Sequence, residues 1–162
     1  MSRLDSFIRR MQAQRDLLNA TPALIDGVAG PVLELGLGNG RTYDHLRRLF
    51  PDREIFVFER LLAAHPDCVP CTPYLIEGDI RETLPRSLER LPGPAALVHN
   101  DIGTGDAVAN AEIAAWLGNA LPPIVAGSGV VLSDQPLEHE ALIRLPVPAT
   151  LPAERYFLYR RL

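Results

Sequence analysis

The sequence contains no lysine, because all 16 of its basic residues are arginine. This absence excludes every mechanism that needs a lysine amine. Schiff-base enzymes and pyridoxal enzymes are therefore ruled out, and so is the nucleotide-binding P-loop with its lysine.

The sequence also lacks a long hydrophobic run. Its longest apolar run falls well short of about 18 residues, so we expect no transmembrane helix and no membrane partner. At the N-terminus the charges of Arg3, Asp5, Arg9 and Arg10 interrupt the apolar residues, and no signal-peptide core is present. These features predict a cytoplasmic protein.

Cysteine is scarce, with Cys68 and Cys71 in a C-x-x-C spacing that His65 precedes by three residues. Three such ligands could hold a zinc ion with a fourth from elsewhere. However, no second ligand pair lies nearby, and Pro70 and Pro73 exclude the helix that a thioredoxin-like motif would open. We therefore expect no metal and two thiols in a loop or strand.

An excess of positive charge is missing as well. The chain has 20 acidic residues against its 16 arginines, a net charge of −4 and a pI near 5.5. Phosphate neutralisation needs a basic face, so no nucleic-acid partner is expected.

With 162 residues, of which 47% are apolar, the chain can bury one sizeable core but not two. We expect a single domain over residues 1–162.

What the sequence does contain is an alternation of strand-like and helical segments. Apolar runs predict strands at 32–35, 54–60, 74–79, 95–101 and 130–134, with two more in the tail at 141–147 and 156–160. Helices are predicted at about 3–20, where Ala20-Thr21-Pro22 ends the helix, and at 42–50, 61–65, 81–91 and 106–121. This order predicts a doubly wound α/β fold: a mostly parallel seven-stranded sheet with helices on both faces and a short antiparallel C-terminal strand. The N-terminal helix is expected to cover the ligand cleft.

Three strand exits carry glycine and acidic residues, and ligands of such sheets bind at the carboxyl ends of the strands. Glycines at 36, 38 and 40 allow positive φ angles and close approach of the backbone to a ligand. Glu59 lies 19 residues beyond Gly40, the separation at which a carboxylate leaving the second strand accepts hydrogen bonds from both ribose hydroxyls. Arg41 stands where the dinucleotide fingerprint G-x-G-x-x-G needs its third glycine, which weakens that interpretation.

The segment from Glu34 to Gly40 resembles the first motif of the class I S-adenosylmethionine-dependent methyltransferases, an acidic residue followed by G-x-G-x-G. The resemblance continues in order at Glu59, at Gly78-Asp79-Ile80 and at His99-Asn100-Asp101, and it covers roughly residues 30 to 135. It implies an enzyme whose cofactor is S-adenosyl-L-methionine.

The resemblance also implies a role for each site residue. Glu34 would interact with the methionine amine, directly or through water, and Glu59 would hold the ribose hydroxyls. The adenine end would be formed by Gly78, Asp79, Ile80 and Arg60, with Asp79 facing the amino group. The methionine and sugar would lie over Gly36, Leu37, Gly38, Asn39 and Gly40, and the methionine end and substrate would meet polar atoms of Asn100 or Asp101.

Several of these residues also have a purely structural interpretation. Glu34 could be the partner of a helix or loop, Glu59 a solvated strand end, and Asp79 only the N-cap of the next helix. His99 lies among apolar strand residues and is more readily a satisfied core histidine than a base.

If the acceptor must lose a proton, Asp101 is the best-placed carboxylate and is predicted to be catalytic, with His99 and Asp134 behind it. An Asn-Pro-Pro-aromatic signature, which in the family marks transfer to exocyclic amines, is absent. We therefore do not infer a DNA base or a glutamine side chain as the substrate.

The chain offers few walls for an acceptor: the N-terminal helix, residues 102–105 and residues 135–140. A small-molecule substrate is therefore expected. In a homo-oligomer, a second subunit could supply further walls of the acceptor site. Two alternatives stay open, a noncatalytic S-adenosylmethionine-binding protein and a nicotinamide-dependent oxidoreductase.

Overall fold

The computed structural model of the chain describes residues 2–148, 151 and 155–162, and within them seven strands form one sheet. The order across the sheet is β3-β2-β1-β4-β5-β7-β6, in which β1 to β5 are parallel and β7 is antiparallel to both β5 and β6. The bounds are β1 (Val32–Leu35), β2 (Ile55–Glu59), β3 (Leu75–Glu77), β4 (Ala95–Asn100), β5 (Val125–Ser133), β6 (Leu142–Leu145) and β7 (Phe157–Arg161). The predicted doubly wound α/β fold is confirmed.

Helices cover both faces of this sheet. They are α1 (Arg3–Leu24), α2 (Arg41–Leu49), α3 (Ile80–Ser87) and α4 (Ala107–Ala120), and Pro66–Cys68 form one 3₁₀ turn. Leu17 of α1 and Leu46 of α2 belong to one buried apolar cluster, and Leu84 of α3 and Leu117 of α4 belong to the other. Side chains of a strand alternate between faces, so α1 and α2 lie on one face and α3 and α4 on the opposite one.

The strand order reverses between β1 and β4, which are paired neighbours in the sheet. Leu35 and Asn100, the last residues of these two strands, are register partners. The segments that follow them therefore leave the sheet side by side, at the point where doubly wound sheets bind their ligands.

Two helix predictions were wrong in their bounds. The helix α1 runs through Pro22 to Leu24. Pro22 has no N–H for the carbonyl of Leu18, but the hydroxyl of Thr21 donates to that carbonyl at 2.7 Å and satisfies it. Helix α3 ends at Ser87, before the predicted 91.

The helix predicted at 61–65 does not form. Instead the N–H of Leu61 donates to the Glu59 carboxylate at 3.0 Å, and the chain becomes helical only in the turn at Pro66–Cys68. The strand β5 also begins earlier than predicted, at Val125, and its pairing with β4 shifts register between Ala95 and Leu97.

None of the helices in the described part of the chain is both long enough and apolar enough to cross a bilayer.

Candidate active site

The loop of residues 36–40, which follows β1, has a positive φ angle at each of its three glycines. A Cβ at Gly36 would lie 2.7 Å from the Ile102 side chain, and one at Gly40 would collide with Cys68. At Gly38, where φ is +53°, a Cβ would meet nothing within 4 Å. Packing therefore accounts for the outer two glycines, whereas the middle one faces open space.

That space belongs to a cavity of about 370 Å³ at the carboxyl ends of β1 to β4, which we call the first cavity. Volumes of this size are typical of small-molecule sites. The apolar side chains of Phe58, Ile102 and Ile113 contribute to its wall. Eight predicted site residues line it: Gly36, Gly38, Glu59, Arg60, Gly78, Asp79, Ile80 and Asp101.

Glu59, at the end of β2, is held against the glycine loop. Its Oε2 atom accepts hydrogen bonds from the backbone N–H groups of Leu37 at 2.8 Å and Gly38 at 3.0 Å, and Oε1 accepts one from Leu61. Burial opposes ionisation of this carboxyl group, but the backbone donors outweigh burial and lower its pKa. A fixed negative charge therefore stands at the wall of the first cavity.

Asp79 caps a helix and also borders the first cavity. Its Oδ1 atom accepts a hydrogen bond from the backbone N–H of Arg81 at 2.8 Å, which makes it the N-cap of α3. The same residue lines the first cavity. The capping interpretation is confirmed, and it leaves the adenine-facing role as a prediction.

A second cavity of about 210 Å³ lies on the other side of the glycine loop, and α1 forms its outer wall. Phe7, Arg10, Met11 and Gln14 of α1 face Leu37 and the adjoining loop residues across it. Asn39 lines this cavity too, and Gly36, Gly38 and Asp101 border both cavities. The first helix therefore lies over the strand exits.

Asp101 stands at the junction of the two cavities and is tied to α1. Its Oδ1 atom accepts hydrogen bonds from Arg10 at 2.8 Å and from the hydroxyl of Tyr156 at 3.3 Å, and its Oδ2 atom accepts one from Gln14 at 2.8 Å. Both oxygens of the predicted catalytic residue are therefore engaged by other side chains. Its role as a base stays a prediction.

Glu34 and His99 form a fully buried pair on the face of the sheet that α1 and α2 cover. They are register partners on β1 and β4, and His99 Nδ1 lies 2.6 Å from Glu34 Oε2. The other oxygen, Oε1, accepts the hydroxyl hydrogen of Thr42. Both carboxylate oxygens therefore have protein partners, and Glu34 lines neither of the two cavities.

The second ring nitrogen of His99 lies 3.3 Å from the Gln14 amide nitrogen, which also donates to Asp101. A carboxylate only accepts hydrogen bonds, so the Gln14 atom between His99 and Asp101 is the NH₂ group. His99 Nε2 is then an acceptor, and Nδ1 carries the proton that points to Glu34. His99 is a satisfied core histidine in this arrangement.

Asn100, predicted to contact the cofactor, lines neither cavity and is completely buried. Its amide nitrogen donates to the hydroxyl of Ser133 at 2.9 Å and lies 3.4 Å from an oxygen of Asp134. Strand alternation explains the difference from Asp101, because neighbouring residues at the end of β4 point in different directions. Gly40, the last residue of the glycine loop, also lines neither of these cavities and is the N-cap of α2.

Asp134 follows β5 and borders a third cavity of about 570 Å³. Its Oδ2 atom accepts a hydrogen bond from the backbone N–H of Gly103 at 2.9 Å. Burial, with the nearby charge of Asp101, raises the pKa of Asp134 to about 6. The third cavity shares Gly103 and Thr104 with the first cavity and Arg10 with the second, so the three cavities adjoin one another.

The cysteines do not gather metal ligands around them. Cys68 packs against Gly40, Cys71 is exposed, and His65 accepts a hydrogen bond from the backbone of Asp67. Over residues 2–148, 151 and 155–162, no group of three or more His, Cys, Asp or Glu side chains is arranged to hold a metal ion.

Several residues of the site were not identified from the sequence. Arg10, Gln14 and Tyr156 reach Asp101 from 91, 87 and 55 residues away, so no local motif marks them. Thr42 does carry a signal, because a hydroxyl in the first turn after a glycine loop is placed to reach back toward the preceding strand.

Comparison with known proteins identifies one family. A family model described as S-adenosyl-L-methionine methyltransferase (Methyltransf_17) matches residues 1–161. The crystal structure of an S-adenosyl-L-methionine methyl transferase from Silicibacter pomeroyi DSS-3 is similar, with a TM-score of 0.92, 47% identity and 99% of each chain covered.

More distant solved structures share the fold. CalS11, a TDP-rhamnose 3′-O-methyltransferase of calicheamicin biosynthesis, has a TM-score of 0.62 and 23% identity, over 98% of this chain and 83% of its own. The sugar N-methyltransferase KedS8 from Streptoalloteichus sp ATCC 53650 has a TM-score of 0.52 and 20% identity, over 90% of this chain and 61% of its own. A search of curated proteins found no match.

Proposed function

Because this chain belongs to the S-adenosyl-L-methionine methyltransferase family, we propose that it methylates a small molecule bound where its three cavities meet. Family membership makes it an enzyme with S-adenosyl-L-methionine as cofactor, which decides against the two alternatives left open by the sequence. When bound, this cofactor supplies a methyl carbon that bonds to the acceptor heteroatom while its carbon–sulfur electron pair stays on sulfur and the acceptor's proton is released.

The residues present fit that cofactor. The observation that carries the proposal is the open space above Gly38 beside the oriented carboxylate of Glu59. A Cβ at Gly38 would project into this space. Three backbone N–H groups use three of the roughly four acceptor sites of the Glu59 carboxylate, so its Oε1 atom retains one for a ribose hydroxyl.

We assign the remaining cofactor contacts to the residues that border the first two cavities. Arg60, Gly78, Asp79 and Ile80 would hold the adenine end, and the backbone of Gly36, Leu37 and Asn39 would lie along the sugar and methionine. Glu34, Gly40 and Asn100 would support the site from behind, since Glu34 orients Thr42 and His99, Gly40 starts α2 and Asn100 contacts Asp134. A contact of Glu34 with the methionine amine would need a bridging group such as water.

Two carboxylates compete for the role of general base. Asp101 is occupied by Arg10, Gln14 and Tyr156, which favours a positioning role in which it fastens α1 over the cleft. Asp134 borders the third cavity, and although its Oδ2 atom accepts from Gly103, its Oδ1 atom has only a long contact of 3.4 Å with Asn100. Its pKa of about 6 lies close to the optimum for proton transfer near neutral pH. We therefore infer that Asp134 accepts the acceptor's proton and that Asp101 holds the walls of the site.

A small-molecule acceptor is supported by the size of the third cavity, whose walls include residues of α1, the loop after β4 and the segment after β5, with others from β6 and the start of β7. The first three are the segments that the sequence offered for substrate recognition. A cytoplasmic location is supported by the two free thiols, Cys68 and Cys71, which persist in a reducing compartment.

Methyl transfer into a cell extract tests the acceptor class. The enzyme is incubated with extract and methyl-tritiated S-adenosylmethionine, and the products are separated into low-mass, protein and nucleic-acid fractions. A labelled low-mass species other than the cofactor itself is expected. Label confined to protein or nucleic acid would contradict the proposal, and a Gly38→Val enzyme serves as the background control.

A further inference from the structure

The third cavity contains three arginines that come from separate parts of the fold. Arg10 belongs to α1, Arg144 to β6, and Arg155 lies just before β7. Gln135, Pro136 and Phe157 complete much of the wall between them. All three side chains line this one cavity although the chain as a whole carries a net charge of −4.

Two of these positive charges are not neutralised within the described residues. Arg10 pairs with Asp101 at 2.8 Å, whereas Arg144 and Arg155 form no ion pair with any carboxylate in residues 2–148, 151 and 155–162. Asp134 is the acidic side chain that borders this cavity. Near neutral pH, above its pKa of about 6, Asp134 is largely ionised, so Arg144 and Arg155 together still outnumber the negative charge on the cavity wall.

Neutral contacts orient both guanidinium groups. The guanidinium carbon of Arg144 lies 4.9 Å from the ring centroid of Phe157, within the range of a cation–π contact. Arg155 donates one hydrogen bond to the hydroxyl of Ser6 at 3.2 Å. These contacts use at most one of the five N–H donors of each group, so the remaining donors can bind a ligand.

We propose, building on the proposed function, that the methyl acceptor is an anionic small molecule whose carboxylate or phosphate group binds Arg144 and Arg155 in the third cavity. The planar fork of a guanidinium matches either anion with two parallel hydrogen bonds. The nucleophilic hydroxyl or amine of the acceptor then lies on the Asp134 side of the cavity, toward the shared walls of the first cavity.

Calorimetric titration with three probes tests this inference. The protein, saturated with S-adenosylhomocysteine, is titrated with inorganic phosphate, with malonate and with dimethyl malonate, the neutral diester. Phosphate and malonate represent the phosphate and carboxylate groups that the proposal allows, and the diester has a similar shape to malonate but no charge. Binding of at least one anion and no binding of the diester are expected.

A matched pair of double variants separates a specific site from general attraction. Arg144→Gln/Arg155→Gln should weaken anion binding by about tenfold or more, since two charge-assisted contacts are lost. Arg3→Gln/Arg86→Gln removes the same charge from exposed positions outside the three cavities and should leave anion binding unchanged.

The outcomes are distinct from those of the proposed function. Equal weakening in both double variants, or no anion binding to a wild type that binds S-adenosylhomocysteine, would overturn the anionic acceptor and leave the cofactor site standing. A wild type that fails to bind S-adenosylhomocysteine would instead count against the proposed function. Arg144→Gln/Arg155→Gln should bind S-adenosylhomocysteine as the wild type does, because neither residue lines the first two cavities.

Discussion

The amide of Gln14 donates to the carboxylate of Asp101 at 2.8 Å and so joins the N-terminal helix to the exit of the central strand β4. The same amide group lies 3.3 Å from His99, which in turn contacts Glu34. One buried side chain therefore connects the helix that walls the second cavity with the acidic residue of the glycine motif.

Replacing Gln14 should reveal how much this connection stabilises the protein. Gln14→Leu leaves Asp101 Oδ2 and His99 Nε2 without their donor, and it should lower the free energy of unfolding by about 1–3 kcal/mol. Gln12→Leu makes the same change at an exposed position of the same helix and should alter it by less than about 0.5 kcal/mol. Urea unfolding of both variants measures the difference, and equal values would show that the connection is incidental.

Asp134→Asn should stabilise the folded protein while it removes the proposed general base. The folded pKa of about 6 exceeds the ordinary value of 3.8, so the folded state retains a proton that the unfolded state releases. The stability contribution of this group is present below about pH 3.8 and is lost as the pH rises through 6. Asp134→Asn should therefore gain roughly 1–3 kcal/mol at pH 8 and nothing at pH 3.5. Chemical unfolding at the two pH values measures this gain, and an equal gain at both would contradict the assignment.

Asp79 and Asp106 are both helix N-caps, which makes them a matched pair. Asp79→Ala and Asp106→Ala should each cost about 1 kcal/mol of stability, because each leaves backbone N–H groups without an acceptor. Asp79 also lines the first cavity and Asp106 does not. Only Asp79→Ala should weaken binding of S-adenosylhomocysteine, and parallel weakening by Asp106→Ala would assign the effect to helix fraying.

Glu59→Ala should weaken binding of S-adenosylhomocysteine by about 1.5–3 kcal/mol, the range for hydrogen bonds to a charged group. Glu77, the register partner of Glu59 on β3, is an exposed residue outside the cavities. Glu77→Ala should therefore change the binding free energy of S-adenosylhomocysteine by less than about 0.5 kcal/mol. Glu59→Gln retains one acceptor oxygen for the glycine loop and should lie between the two. Calorimetric titration of the three variants with S-adenosylhomocysteine measures these differences. A Glu59→Ala protein that binds with wild-type affinity would show that Glu59 is a solvated strand end and not a ligand contact.

Local sequence patterns predicted the parts of the site that consecutive residues build. The glycine loop, Glu59 and Asp79 follow directly from buried strands, and the parallel sheet brings them together at one edge. The partners of Asp101 could not be predicted, because Arg10, Gln14 and Tyr156 come from distant segments that only tertiary packing places there. The contact of Glu34 with His99 escaped prediction for the same reason, because the two residues lie 65 positions apart on neighbouring strands. The contact of Glu34 with Thr42 on the next helix agrees with the structural interpretation that the sequence left open.

The central claim is that the cofactor lies on the backbone at Gly38, and two glycine variants test it most directly. Gly38 and Gly27 both have positive φ angles, and a Cβ at either meets nothing within 4 Å, but only Gly38 borders the cavities. Strain from valine is therefore similar at the two positions, whereas its side chain enters the ligand space only at position 38. Calorimetric titration with S-adenosylhomocysteine should give equal affinities for the wild type and Gly27→Val and no detectable binding for a folded Gly38→Val. Binding to Gly38→Val with wild-type affinity, or no binding to the wild type, would contradict the account.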